Sequence, residues 1–197
     1  MVIDQTDNPL GESVAYDALL PFRWQHLEVP PAGAAQSGLQ SVDEQAASEA
    51  LLRTLLVLDD ARIELGEEHE ALSQELVRLD FKINLMLDMV AEIYRRQLDM
   101  PSERQIRLGG AHAEWHDSSP PQMGERLRLE IYLSQKYSRP IYLLGQVIVV
   151  EASPAGDSAR VVVELIGLSE PLQAQLEKFL FRQHRRAVAH ARRATDS

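Results

Sequence analysis

The sequence predicts an α+β fold: a small antiparallel β-barrel with a long inserted coiled-coil helix and a C-terminal helix. Three observations predict it. The stretch 42–99 repeats apolar residues every seven positions and contains no proline. Short alternations of apolar and polar residues follow, from 105 to 166. Ser169 and Pro171 then open a last amphipathic segment, a cap followed by proline in the first turn.

Taken in order, residues 1–40 form an N-terminal segment. Residues 1–16 are polar, and 20–27 read as a first barrel strand entered through Pro21. The run from Pro30 to Gly38 is rich in proline, glycine and alanine and reads as a linker. Ser41 or Asp43 is placed to cap the helix over 42–99.

In that helix one heptad row is Leu51, Leu58, Leu65, Leu72, Leu79, Met86 and Ile93. The other is Leu55, Arg62, His69, Leu76, Ile83 and Val90. Such d and a positions mark a left-handed coiled coil, so these thirteen residues are the expected oligomer seam. At 1.5 Å per residue the helix reaches about 80 Å, too long to bury its seam on one small domain. A bent helix pair breaking at Gly66 is the competing reading. The heptad register does not slip across that glycine and no turn dipeptide follows it, so one helix is expected. Arg62 and His69 are polar a positions, which weaken a seam and fix its register. Beyond Lys82, Leu85, Leu87 and Met89 make the helix apolar on several sides, which calls for an oligomer larger than a dimer or for a docked barrel.

The helix ends near Pro101, and 101–170 hold the remaining barrel strands. Gln105 to Gly110 reads as strand and glycine turn. Ala111, Ala113 and Trp115 alternate with His112, Glu114 and His116. Asp117 to Pro121 reads as a loop. Leu127, Leu129 and Ile131 alternate with Arg128 and Glu130, a half-buried strand. Residues 141–151 are apolar on both faces apart from Gln146, and Arg160–Ile166 is another strand. Short antiparallel strands at this spacing build a barrel. Over 171–194 a basic helix follows, with Leu172, Leu176, Phe179 and Leu180 on the face that plugs or flanks it.

Composition bounds the function. The 197-residue chain has no cysteine, hence no disulfide or thiol chemistry. Its start has neither a basic nor an apolar run, and no window reaches a membrane span, so a cytoplasmic protein is expected. A net charge of −10 speaks against nucleic-acid partners, the Arg-rich last helix notwithstanding. His112 and His116 on a strand stand about 13 Å apart, too far for one ion, and His184 and His190 fall on different helix faces, so no metal is expected. No nucleophile context surrounds Ser118 and Ser119, and no phosphate-loop sequence follows Gly109 and Gly110. No enzyme is expected, and catalytic residues: none.

The barrel with its basic helix, the segment Gln105-Ile106-Arg107-Leu108-Gly109-Gly110-Ala111 and the strand start Gly124-Glu125-Arg126-Leu127-Arg128-Leu129 resemble the PilZ domain, a receptor for cyclic di-GMP. The inserted heptad helix resembles the atypical, tetrameric branch of that family found in xanthomonads. The resemblance implies a homotetramer built on a parallel coiled coil. It also implies a ligand site with two parts. An RxxxR segment before the first strand would grip phosphates, since two guanidiniums do so bidentately. Here that stretch is Glu12 to Leu20, with no arginine and two acids. A (D/N)xSxxG segment aligns on Gly110, putting Gln105 at the amide position and Arg107 at the hydroxyl position.

The degenerate site is thus Gln105, Arg107, Gly109 and Gly110. Each lost charge-assisted hydrogen bond is worth about 1.5–3 kcal/mol. The resemblance therefore implies weak or no cyclic di-GMP binding at the usual place, and no cofactor. The expected function is a non-enzymatic oligomeric adaptor in cyclic di-GMP signalling, whose partners are copies of itself and an unidentified signalling protein. The alternative is a genuine receptor with a rearranged site built from Arg107, Arg126, Arg128 and the C-terminal arginines.

Overall fold

A computed structural model describes residues 14–27, 42–60, 70–97, 99–134, 137–153 and 157–195. Six strands close into a barrel in the order β1-β2-β3-β6-β5-β4, every neighbouring pair antiparallel. They are β1 (Ala15–His26), β2 (Glu103–Gly109), β3 (His112–Asp117), β4 (Arg126–Ile131), β5 (Ile141–Ala152) and β6 (Ala159–Ile166). The helices are α1 (Val42–Asp60), α2 (Glu70–Gln97) and α3 (Glu170–Thr195).

The period-2 residues of the strands supply the core. Ile106, Leu108, Ala113, Trp115, Leu127, Leu129, Ile131, Val161 and Val163 are all buried. Phe22 meets Trp115 edge-on at 5.1 Å between ring centroids. β1 starts at Ala15, upstream of the strand expected at 20–27, because its first half pairs with β2 and its second half with β4. Pro21 stands where it changes partner: Pro21 is the last residue opposite β2 and Phe22 the first opposite β4. A residue without N–H is tolerated at such an interruption of the ladder. Gly145 on β5 is required by close approach, since a Cβ there would lie 2.9 Å from Val163 Cγ2.

Ser169 Oγ accepts from the Leu172 N–H at 3.4 Å and opens α3. Leu172, Leu176, Phe179 and Leu180 then bury one stripe of α3 in the barrel core cluster. α1 covers another part of the same cluster through Leu51, Leu52, Leu55 and Leu56. Burial of each leucine contributes about 1.5–3 kcal/mol. Polar clips fix its position. Gln45 Nε2 donates to the Gly167 carbonyl at 2.9 Å, and Gln45 Oε1 accepts from the Ser169 N–H at 3.0 Å. Ser48 is fully buried, and its Oγ accepts from the Tyr142 N–H at 3.0 Å.

Two expectations for 42–99 are corrected. Leu51 and Leu55, expected in the oligomer seam, pack inside their own chain, because a stripe facing a barrel and a stripe facing another helix share the same three-four spacing. Nor is the stretch one straight rod. Leu51 and Thr54 of α1 line a single cavity with Leu87, Val90 and Ala91 of α2 and with Tyr137 to Arg139. A continuous helix would hold Leu51 and Ala91 about 60 Å apart. α1 and α2 therefore meet at that cavity, which one continuous helix could not do. Arg62, Leu65 and His69 fall outside the described residues, as do the side chains of Leu58 and Leu72.

The remaining seam residues lie on α2. Leu76 is half-buried, whereas Leu79, Ile83, Met86, Val90 and Ile93 are between 49% and 63% exposed. Val77, Phe81, Leu85 and Met89 form a second exposed row at four-residue spacing.

Candidate ligand site and charged clusters

The four residues expected to mark a ligand site fall on β2 and the turn after it. Ile106 and Leu108 point inward, so the alternation turns Gln105 and Arg107 outward. Antiparallel register sets Asp17 of β1 opposite Arg107 and Leu19 opposite Gln105. Arg107 Nε lies 3.9 Å from Asp17 Oδ1 and is itself out of water without a hydrogen-bond partner among the described residues. Gly109 is buried. Gly110 opens the β2–β3 turn beneath α3. A Cβ added to it would come within 3.2 Å of Glu177 Cγ. The Glu177 carboxylate accepts from Gln173 Nε2 at 3.0 Å. Around the expected nucleotide position the described residues thus set Arg107 against Asp17 and Glu177 over Gly110.

The arginines of the alternative site do not converge. The β1 register places Arg107 beside Asp17 and Arg128 beside Gln25. Eight residues of strand separate those two places by about 27 Å. Arg128 stacks over the Tyr142 ring at 4.0 Å and pairs with Glu44 of α1. Arg182 Nη1 donates to the Leu56 carbonyl at 2.6 Å. Arg126 lines a groove at the other end of the barrel with His26, Glu125 and Gln146.

Two buried charge clusters escaped the sequence reading. Asp117, expected in a loop, ends β3, and its carboxylate is 5% exposed. It accepts from Trp24 Nε1 at 2.7 Å, Trp115 Nε1 at 3.3 Å, the Ser119 N–H at 3.0 Å and Arg104. Burial alone would raise this carboxyl. The Trp24 and Ser119 donors and the Arg104 charge outweigh it and hold Asp117 below the usual carboxylate range. In the second cluster Arg23 grips Glu130 with Nε at 3.0 Å and Nη2 at 2.9 Å. Tyr132 donates to Glu130 at 2.8 Å, and burial together with that carboxylate pushes its hydroxyl far above the ordinary tyrosine range. Both clusters tie β1 to other strands. The signal for the first was a pair of tryptophans, each needing an acceptor when buried.

His112 and His116 lie on β3 opposite Glu164 and Arg160. Among the described residues no group of three or more His, Asp or Glu side chains could hold a metal ion. No helix of the described residues is long and apolar enough to cross a membrane.

Comparison with known proteins places this architecture. Residues 52–193 match the family model described as "Atypical PilZ domain, cyclic di-GMP receptor". No curated protein matches the chain. Among solved structures, a tetrameric PilZ domain protein of Xanthomonas campestris is similar at 21% identity and a TM-score of 0.67, covering 91% of this chain and 92% of that one. The inhibitor of motility of Bacillus subtilis aligns at 20% identity over 41% of each chain, with a TM-score of 0.35. The PilZ domain of YcgR from Escherichia coli, with c-di-GMP, aligns at 17% identity over 46% of this chain and 79% of that one, again at 0.35. Shared fold over nearly the whole length rests on the first of these. The family match spans well over half of the sequence and takes in five strands of the barrel and α3; the chain belongs to the atypical PilZ domain family of cyclic di-GMP receptors.

Proposed function

We propose that the protein is a non-enzymatic, oligomeric adaptor in cyclic di-GMP signalling whose usual ligand position binds the nucleotide weakly or not at all. The observation that carries this reading is the row Leu79, Ile83, Met86, Val90 and Ile93, left open to water on a single chain that buries Leu51 and Leu55 of the same heptad pattern. A row of this length at heptad spacing is stable only against other helices. The Xanthomonas campestris neighbour is a tetramer self-assembled through a helical bundle. The α2 row is suited to the same use here, and the proposed assembly is a homotetramer. The ligand position supports the second half of the reading. It lacks the paired arginines, and its one guanidinium, Arg107, faces Asp17.

The competing reading, a receptor with a rearranged arginine site, loses support from the distance along β1 between Arg107 and Arg128. Calorimetric titration of the intact chain with cyclic di-GMP tests the choice. The adaptor reading predicts no heat of binding at micromolar concentrations. Micromolar binding that disappears in Arg107→Ala would establish the receptor instead.

A further inference from the structure

We propose that the cavity where α1, α2 and the segment Tyr137 to Arg139 meet is a socket for the apolar row of α2 from a second copy of this chain. The inference rests on the adaptor reading and deepens it: the assembly surface takes in α1 as well as α2. The cavity holds about 330 Å³. Leu51 and Thr54 of α1, Leu87, Val90 and Ala91 of α2, and Ser138 line it, and Arg139 is the one charged wall among the described residues.

The walls are unfinished on a lone chain. Leu51 and Ala91 are buried, whereas Thr54 and Val90 are exposed, so the cavity opens to water along both helices. On α1 the exposed residues Ala50, Thr54 and Val57 share one row by their three-four spacing. That row carries no charge, and the Thr54 hydroxyl donates to the Ala50 carbonyl at 2.8 Å. α1 thus turns a second, uncharged stripe outward, separate from the leucines it buries on the barrel. Ser138 is 6% exposed, and its Oγ has no hydrogen-bond partner among the described residues. Folded interiors are close-packed and their buried polar atoms are normally satisfied. Both conditions are unmet at this wall.

The occupant follows from continuity. Val90 is at once a wall of the cavity and a member of the row Leu79, Ile83, Met86, Val90 and Ile93. A helix laid along that row therefore crosses the cavity mouth and comes up against α1. Such a helix must be apolar over about 21 Å, the distance from Leu79 to Ile93 at 1.5 Å per residue. Among the described residues, the helix with an exposed apolar face of that length is α2 itself. A row that enters an unlike surface on the next copy makes a head-to-tail contact, and such contacts close into a ring when the rotation allows. The proposed tetramer is such a ring.

Sedimentation equilibrium of the intact protein at micromolar concentration tests the socket through a residue outside α2. Thr54→Arg places a charge at the cavity mouth, on a helix that assembly through α2 alone would not touch. The wild type is expected at four chain masses and Thr54→Arg at one. Met123→Arg adds the same charge at an exposed residue beyond the other end of β4 from Ser138, and it keeps the wild-type mass. Thermal melting verifies that the variants fold, and Ala50→Arg repeats the test should Thr54→Arg melt early. A tetramer that persists in Thr54→Arg and Ala50→Arg, or an equal loss in Met123→Arg, overturns the socket and leaves the α2 row standing. A wild type with the mass of one chain removes the assembly reading, and the socket with it.

Discussion

Asp117 ends β3 with its carboxylate nearly out of water and four donors converging on it. Its depressed pKa makes it a source of stability that is present above the ordinary carboxylate pKa of about 3.9 and is lost as pH falls through the lower folded value. Asp117→Asn is expected to cost about 2–3 kcal/mol at neutral pH, because Arg104 and two indoles lose a charged acceptor. The difference from wild type should shrink as pH falls below about 4, first as the unfolded carboxyl protonates and then, at lower pH, as the native one does. Urea unfolding of both proteins at pH 7 and pH 3 measures it, and a gap that stays constant contradicts the assignment. At Gly145 a methyl group would enter space held by Val163. Gly145→Ala is expected to destabilise the barrel by about 1–3 kcal/mol through overpacking, read as a lower midpoint in the same unfolding experiment. The two tryptophans signalled that an acceptor was needed but not which one. Asp117 sits between a serine pair and its own strand, and Trp24 and Arg104 reach it only once β1, β2 and β3 have paired.

Helices and strands were legible to different degrees, for a physical reason. A strand in a barrel with a filled interior has one wet face and one dry one, so period 2 shows in Leu127, Leu129 and Ile131 or in Ala113 and Trp115. Ser169, Pro171 and the four apolar residues of α3 were equally direct. A helix stripe does not say what covers it. In α1 the leucine pairs 51–52 and 55–56 make a stripe wide enough for the barrel, and the clips from Gln45 and Ser48 fix that choice. In α2 only Ala91 among the described residues is buried, and the heptad row is left over. The two helices thus divide a pattern that is uniform in sequence. Ser48→Ala should cost about 1–3 kcal/mol by leaving the Tyr142 N–H without its acceptor. Ile83→Asp with Val90→Asp is expected to abolish self-assembly while the barrel still melts cooperatively. Retention of the native mass by that variant in light scattering contradicts the role given to α2.

For the molecule as a whole, the closed barrel leaves no sheet edge for pairing with another chain. Association must use helices or side-chain grooves. α1 is fastened to the barrel by core leucines and polar clips, whereas α2 keeps an exposed apolar row. The ligand position had been legible as an absence of arginines, whereas the carboxylates Asp17 and Glu177 that now border it came from β1 and α3, remote in sequence. The account turns on copies of this chain being joined through α2. Sedimentation equilibrium of the intact protein at micromolar concentration tests this most directly. A particle of four chain masses is predicted, and a particle with the mass of a single chain would contradict it.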